Sequence, residues 1–248
     1  MAIEKDIQIS LPDGITDAVV FQPEGAGSWP GVLYLTDIGG IRPAQRQAAQ
    51  RLSNEGYVVL LPNVFYRIAK PPVMDLALRA NPEAFGKRIA ELSEPLTPDA
   101  LERDANGYVD FLAMYPTVKN KDILGVVGFC SCGPVAMRVA AARPAQIAAC
   151  ASFHGANLYT DKPTSPHLLL PKIKARLLFG HAVQDKSMPA EAIQLFEEAL
   201  EKWGGRYESD TYEGAHHGWT TLDHPAYNPA QASSAYETMR QLLASELT

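Results

Sequence analysis

The residues best suited to chemistry in this chain lie in the segment G-F-C-S-C-G at positions 128–133. An apolar run at 123–129 leads into it and is long enough for one buried strand, and a small-residue helical pattern follows it to position 142. A strand, a sharp turn and a helix, with a nucleophilic side chain at the turn, are typical of a nucleophile elbow. The segment therefore predicts a covalent nucleophile at Cys130 or Ser131.

Side-chain size at the turn distinguishes the two candidates. In an elbow, the residues two positions before and two positions after the nucleophile lie against each other, so both must be small. Cys130 is flanked in this way by Gly128 and Cys132, whereas Ser131 would be flanked by the large Phe129. We therefore favour Cys130 as the nucleophile, with Ser131 and a buried structural cysteine as the alternatives.

A thiol nucleophile needs an imidazole base and a carboxylate that orients the imidazole. Asp185 follows an apolar strand pattern, and His217 follows the last strand pattern of the chain. His216 is the neighbouring alternative, but Gly218 directly after His217 favours a close approach of His217 to the site. The order of these residues predicts a triad of Cys130, His217 and Asp185.

The remaining histidines suggest no metal centre. We expect them at surface or loop positions: His154, His167, His181 and His224. Their spacing matches no metal-binding motif. Cys130 and Cys132 lack both the two-residue gap and the second ligand cluster of a zinc site. We predict neither a metal nor a cofactor.

Alternating strand and helix patterns predict the elements that would position this chemistry. Strand patterns lie at 6–10, 16–22, 31–35, 57–61, 123–129, 147–153, 175–180 and 206–212, and the main helical patterns at 43–55, 98–115, 189–203 and 229–247. The first two strands predict a hairpin, and the rest a mostly parallel sheet with helices on both faces, in a single α/β domain over 1–248. Asp37, Cys130, Asp185 and His217 all follow strands, where such sheets bind ligands.

Composition excludes several classes of partner. The chain has 248 residues, 46% of them hydrophobic and 20% charged, as is normal for a globular protein. A net charge of −6 without a basic stripe argues against nucleic-acid binding. No apolar run reaches the length of a membrane span, and the first six residues show no signal-peptide pattern. We expect a cytoplasmic protein, without a membrane or nucleic-acid partner, that is a monomer or a weak homodimer.

Five motifs in order resemble the dienelactone hydrolase (carboxymethylenebutenolidase) family over nearly the whole chain. They are T-D-I-G-G at 36–40, G-Y leading to L-P-N-V-F-Y-R at 56–67, G-F-C-S-C-G at 128–133, the stretch 180–185 with M-P at 188–189, and Y-E-G-A-H-H-G-W at 212–219. The resemblance implies an α/β-hydrolase fold and the triad of Cys130, His217 and Asp185. It also implies hydrolysis of an ester or enol-lactone through an acyl-enzyme.

The resemblance also implies roles for residues beside the triad. The backbone N–H groups of Ile38 and Ser131 would form the oxyanion hole, and Ser131 opens a helix whose first N–H groups are unpaired. Asp37 would modulate the thiol, at a position where the family often has glutamate. Cys132 occupies the elbow position that the family normally gives to glycine.

Members of the family that act on dienelactone use arginines to hold the substrate carboxylate, one of them shortly after the catalytic histidine. The stretch 218–221 contains none here, which puts dienelactone itself in doubt as the substrate. Arg79 and Arg88 lie upstream of the elbow, and either one could bind a carboxylate through its two-pronged guanidinium. Tyr66 and Trp219 suggest a partly aromatic pocket, although both are equally suited to core packing.

These observations favour a hydrolase that cleaves an ester or enol-lactone through a cysteine acyl-enzyme and takes a small-molecule substrate. One alternative is a general carboxylesterase or thioesterase on the same scaffold. The other is a binding protein that keeps the fold without catalysis, because a fold alone does not dictate a function.

Overall fold

The computed structural model describes residues 2–247, and eight strands of this part of the chain form one sheet in the order β1-β2-β4-β3-β5-β6-β7-β8. The strands are β1 Ile3–Leu11, β2 Gly14–Gln22, β3 Gly31–Leu35, β4 Val58–Pro62, β5 Leu124–Phe129, β6 Ile147–Phe153, β7 Arg176–Ala182 and β8 Tyr207–Tyr212. β1 and β2 form an antiparallel hairpin, and β2 also runs antiparallel to β4. All other neighbours are parallel, as the alternating pattern predicts.

Helices cover both faces of the sheet. They are α1 Pro43–Asn54, α2 Pro82–Ser93, α3 Pro98–Met114, α4 Gly133–Ala142, α5 Ala190–Trp203 and α6 Pro229–Glu246. The buried residues of α3, α4 and α5 share one core cluster, and those of α1 and α6 share the other. None of these helices, within the described residues, is both long and apolar enough to cross a membrane.

Apolar runs without polar alternation become the central strands because both faces of those strands are covered. In β3, Leu33 and Leu35 pack into one core cluster, while Val32 and Tyr34 pack into the other. The mostly parallel α/β sheet predicted from these runs is therefore confirmed.

The stretch between β4 and α3 leaves the sheet. It contains a 3-10 turn, Leu76–Ala80, followed by α2. Side-chain oxygens cap the N-termini of α2 and α3. Asn81 accepts a hydrogen bond from the Ala84 amide, and Thr97 accepts one from the Ala100 amide. This excursion places α2 over the carboxyl ends of the strands.

β3 and β5 are neighbours, yet the chain leaves them toward opposite edges of the sheet. β3 is followed by β4 on one side, and β5 is followed by β6, β7 and β8 on the other. Such a switch in strand order opens a crevice at the carboxyl ends, where α/β sheets bind ligands. The predicted nucleophile directly follows β5 at this switch point.

Candidate active site

The turn after β5 has the backbone of a nucleophile elbow. Cys130 has φ +52°, a left-handed conformation that a residue with a side chain rarely adopts. Such strain typically costs about 1–3 kcal/mol and persists only where the surroundings enforce it. A Cβ atom at Gly128 would overlap the carbonyl group of Cys132. Cys130, rather than Ser131, therefore occupies the strained apex of the turn.

The same geometry explains why Cys132 is tolerated where a glycine is usual. The group that approaches Gly128 is the backbone carbonyl of Cys132. The close contact therefore requires a residue without Cβ at position 128 and leaves room for a side chain at position 132. The Cys132 side chain is fully buried in the core cluster beneath α4. A second size limit falls on Gly133, where a Cβ atom would overlap the Ser152 hydroxyl of β6.

The loops after β7 and β8 bring the predicted partners to Cys130. His217 Nε2 lies 3.0 Å from Cys130 Sγ. His217 Nδ1 donates to Asp185 Oδ2 at 2.6 Å. The exposed His216 points elsewhere and has no such contact among the described residues. The structure thus brings together a thiol, an imidazole and a carboxylate in the arrangement that nucleophilic catalysis needs.

Ser187 also belongs to this site, although no sequence motif pointed to it. Its hydroxyl donates to Asp185 Oδ1 at 2.7 Å, and its backbone N–H donates to the same oxygen at 2.8 Å. The hydroxyl oxygen also lies 3.3 Å from His217 Nδ1. Ser187 therefore holds the carboxylate in the orientation that meets the imidazole.

The electrostatics of the triad favour an ionised pair. Burial by itself would lower the pKa of His217, but the hydrogen bonds and charges of Asp185 and Cys130 outweigh burial and raise it to about 10. Burial likewise opposes ionisation of Asp185, yet the contacts with His217 and Ser187 leave its pKa below the ordinary value. The carboxylate is thus charged at neutral pH and stabilises a protonated His217.

His154 lies in the loop directly after β6, as expected, but it is buried and not at the surface. It is only 1% exposed and lies directly behind Cys130. Its Nδ1 accepts the backbone N–H of Cys130 at 3.1 Å, so Nε2 carries the proton and donates to Thr220 Oγ1 at 2.8 Å. Its ring meets the ring of His217 edge-on, with centroids 5.1 Å apart. Burial, together with the charge of His217, holds the pKa of His154 well below its usual value and keeps it neutral.

His181 also departs from the surface expectation, because it is a buried residue of β7 itself. His167 lies in a short 3-10 helix and stacks on Tyr159. His224 lies in a loop, against Gly218. Gly218 has φ +93°, and a Cβ atom there would overlap the His224 ring. The glycine after His217 thus has a local steric reason.

Asp37 lies at the predicted place after β3, but its carboxylate is engaged by neighbours other than the thiol. Arg42 donates to both of its oxygens, at 2.6 and 2.7 Å, and Gln45 and the Gly39 amide donate to it as well. Arg42 also binds both carboxylate oxygens of Asp223, at 2.8 and 3.0 Å. This network holds the loop that carries Ile38.

A cavity of about 890 Å³ opens over Cys130 and His217. Ile38 and Ser131, the residues predicted to supply oxyanion-hole amides, both line it next to Cys130 and His217. An apolar wall extends away from them, formed by Phe85, Ile89, Leu96, Leu101 and Val135. The arrangement offers a polar reaction centre at one side of a largely apolar space.

The structure separates the tentative substrate-binding residues. Arg79 lines the cavity. Arg88 donates instead to the Val73 carbonyl and to Glu91, outside the lining. Tyr66 hydrogen-bonds Asp104 at 2.8 Å, away from the cavity, and Trp219 is fully buried behind His154. Of these four residues only Arg79 is placed to meet a ligand, and the aromatic pair belongs to the packing.

Cys130, His154 and His217 also bring three possible metal ligands within 4.8 Å of one another. A thiolate with two imidazoles suits zinc. However, both ring nitrogens of His154 are already hydrogen-bonded, to the Cys130 amide and to Thr220. His217 is likewise engaged on both nitrogens. The ring nitrogens that could bind a metal are thus already engaged in hydrogen bonds within the site.

Comparison with known proteins agrees with this geometry. A model of the dienelactone hydrolase family matches residues 16–247. The chain belongs to the dienelactone hydrolase family. It is therefore a hydrolase, and the predicted resemblance is confirmed.

The relatives of this dienelactone hydrolase family member match most of its length. The carboxymethylenebutenolidase of Rhodococcus opacus is 29% identical over 214 residues, which cover 84% of this chain and 78% of the relative. A Synechocystis protein named "Putative carboxymethylenebutenolidase" is 26% identical over 229 residues, 91% of this chain and 90% of the relative. The crystal structure of a "Putative Dienelactone Hydrolase" from Klebsiella pneumoniae superposes with a TM-score of 0.86 at 21% identity, over 98% of this chain and 99% of the other. This likeness confirms the α/β-hydrolase fold.

Proposed function

We propose that the protein hydrolyses a carboxylic ester or enol-lactone bond through an acyl-enzyme on Cys130. The observation that carries the proposal is the chain of contacts from Cys130 Sγ through His217 to Asp185, at 3.0 and 2.6 Å. Membership of the dienelactone hydrolase family supports the same chemistry.

In the proposed reaction, His217 takes the thiol proton and Cys130 Sγ attacks the carbonyl carbon. The negative charge on the carbonyl oxygen is stabilised by the N–H groups of Ile38 and Ser131. When the C–O bond breaks, His217 returns the proton to the leaving oxygen. His217 then takes a proton from water, which attacks the thioester and releases the acid and the free thiol.

The proposed substrate carries a carboxylate. The matched relatives are named for action on a carboxymethylene-substituted butenolide, which is an unsaturated lactone. Arg79 lines the cavity. Among the described residues, its guanidinium makes one hydrogen bond, a long contact of 3.5 Å to the Asp223 carbonyl. Its guanidinium is therefore available to bind a carboxylate in bidentate fashion.

The test is turnover of a neutral aryl ester by wild type and by Cys130→Ala, Cys130→Ser and Ser131→Ala. We expect Cys130→Ala to lose at least about 100-fold in kcat, because the covalent route is removed, while Ser131→Ala keeps its backbone N–H and stays near wild type. Mass spectrometry of the quenched reaction should show one acyl group on the peptide that contains Cys130. Full activity in both Cys130 variants would refute the proposal, and loss in Ser131→Ala alone would assign the nucleophile to Ser131.

A general carboxylesterase or thioesterase is the second candidate. The apolar wall formed by Phe85, Ile89 and Leu96 favours it, because such a surface accepts bulky neutral acyl groups. A lactone analogue that bears a carboxylate separates the two candidates. It should inhibit an enzyme that uses Arg79 and leave a general esterase unaffected.

The domain organisation, the location and the oligomeric state of the protein are also proposals. We propose a single domain, supported by one sheet that takes its strands from residue 3 to residue 212. The cytoplasmic location, the monomeric or weakly dimeric state, and the small-molecule substrate as partner remain predictions.

A further inference from the structure

The arginines of this protein show an uneven pattern of charge pairing. Of the twelve in the chain, nine pair with a carboxylate in the part that the structure describes. They are Arg42, Arg46, Arg67, Arg88, Arg103, Arg143, Arg176, Arg206 and Arg240. Arg51 instead lies over the ring of Tyr236, 3.5 Å from its centroid. Arg79 and Arg138 remain, and both line the catalytic cavity.

Arg138 projects into this cavity from α4, the helix that begins just after the nucleophile. Pro134, Val135 and Arg138 line the cavity together, since positions three and four apart share a helix face. Arg138 Nη2 donates to the Thr164 carbonyl at 2.6 Å, and among the described residues this is its one hydrogen bond. Most of its five N–H donors thus remain available for a ligand.

Arg138 is half-buried, and no carboxylate among the described residues forms an ion pair with its guanidinium. Burial lowers the pKa of Arg138, and the charge of Glu102, near the start of α3, opposes that effect without an ion pair. Removing a cation from water is unfavourable unless an anion accompanies it. An anionic ligand would supply the missing partner.

Arg79 and Arg138 contact different loops around the cavity. Arg79 lies 3.5 Å from the Asp223 carbonyl in the loop after β8, whereas Arg138 donates to the Thr164 carbonyl in the loop after β6. The two arginines therefore offer separate positions for an anionic group. Lys162, from the loop that Arg138 contacts through Thr164, adds a second cation to the Arg138 end of the lining.

We infer that Arg138, assisted by Lys162, forms a second anion-binding subsite in the catalytic cavity, distinct from the position of Arg79. The substrate class is then an ester or lactone with an anionic group at the end remote from the scissile bond, joined to it by an apolar spacer. The spacer would lie along the apolar residues Phe85, Ile89 and Val135, which line the same cavity. This inference rests on the proposed hydrolysis at Cys130.

The experiment compares charged and neutral aryl esters. On the acyl side, mono-4-nitrophenyl esters of dicarboxylic acids with six to ten carbons are compared with 4-nitrophenyl alkanoates of equal length. On the alcohol side, 4-acetoxybenzoate is compared with phenyl acetate. We expect wild type to prefer the charged member of at least one series, and Arg138→Gln to reduce that preference in kcat/KM about tenfold or more, as for loss of a charge-assisted pair. Turnover of the neutral esters should change less than about twofold.

Arg143→Gln is the matched control, because Arg143 ends the same helix and pairs with Asp110 outside the cavity lining. It should leave the preference unchanged, and Lys162→Met should reduce it less than Arg138→Gln does. Equal preference for charged and neutral esters in both series, or an unchanged preference in Arg138→Gln, would overturn the subsite.

A binding measurement separates this inference from the proposed function. Cys130→Ala protein is titrated calorimetrically with the same dicarboxylate half-esters, with and without Arg138→Gln. Tighter binding that depends on Arg138 supports the subsite even if wild type hydrolyses no ester, in which case the proposed function fails alone. Binding that is equally weak in both proteins overturns the subsite, whatever the catalytic result.

Discussion

His154 connects the strained turn at Cys130 to the rest of the site. Its Nδ1 accepts the Cys130 amide, its Nε2 donates to Thr220, and its ring packs against His217. Because burial keeps His154 neutral, Nδ1 retains the lone pair that the Cys130 N–H requires. His154 thus acts through Cys130 and His217, as a positioning residue.

Replacement of His154 tests this role. His154→Phe should leave the Cys130 N–H without an acceptor, at a cost of about 1–3 kcal/mol, and should lower kcat about 10- to 100-fold with little change in KM. His154→Asn retains an acceptor near Nδ1 and should recover part of the loss. Steady-state kinetics of both variants, with circular dichroism to confirm folding, provide the measurement. Equal kcat in the two variants would contradict a positioning role.

Asp185 controls the pH range in which His217 is protonated. In the proposed reaction the protonated imidazole delivers a proton to the leaving group, so activity should fall as pH rises through the His217 pKa of about 10. Asp185→Asn removes the charge that raises this pKa and should move the alkaline limb of kcat/KM down by about 1–3 pH units. The measurement is the pH profile of both proteins, with Ser187→Ala as a milder comparison. An alkaline limb that stays in place would contradict this account.

At the scale of elements, the junction of β5 and α4 requires a residue without Cβ at one position. A Cβ atom at Gly128 would overlap the Cys132 carbonyl and press on Ala136 of α4. Gly86, on α2, is the contrasting case, since a Cβ atom there meets nothing within 4 Å. The two glycines therefore differ in what an added methyl group does to the fold.

Gly128→Ala should lower the free energy of unfolding by about 1–3 kcal/mol through overpacking, and should reduce kcat because the nucleophile moves. Gly86→Ala should raise the free energy of unfolding by about 0.5–1 kcal/mol, because alanine favours the helix. Urea denaturation of both variants measures the difference. A Gly128→Ala protein as stable and active as wild type would show that the turn is not sterically constrained.

At the scale of the whole molecule, buried neutral histidines make stability depend on pH. His181 packs between Phe179 and Phe196 in the core beside α5, and burial lowers its pKa to about 4. The unfolded value is near 6.5, so the unfolded chain binds this proton first as the pH falls. The stability due to neutral His181 is complete above pH 6.5 and is lost progressively toward pH 4.

Removing this titration should flatten the pH dependence. Between pH 7 and 4.5, His181→Phe should lose less unfolding free energy than wild type, by a difference on the order of 3 kcal/mol, since one pKa unit corresponds to about 1.4 kcal/mol. Urea denaturation at the two pH values is the measurement, and His216→Ala serves as the control at an exposed histidine. Equal losses in wild type and His181→Phe would contradict the prediction.

Much of the fold followed from local sequence patterns. The apolar runs that became β3 and β5 had to be covered on both faces, and the helical pattern predicted at 98–115 became α3. The placement of Cys130 at the apex of the elbow also followed from side-chain size, because the constraint lies within five consecutive residues.

Contacts between distant parts of the chain were not predictable in this way. The sequence offered both Arg79 and Arg88 for a carboxylate, and only the path of α2 turned Arg88 toward the Val73 carbonyl and left Arg79 at the cavity. Asp37 was expected near the thiol, yet Arg42 and the remote Asp223 engage it in a buried network. Spacing along the chain carries little information about such pairings.

By itself, the sequence determined the α/β class and the strained elbow at Cys130, because each depends on residue size and periodicity over short stretches. Only the tertiary structure decided that His154 lies behind Cys130 and that Arg138 faces the same cavity as Arg79. The physical reason is that burial and the pairing of charges are properties of the folded neighbourhood. A histidine after a strand, or an arginine on a helix, acquires its role from segments far away in the chain.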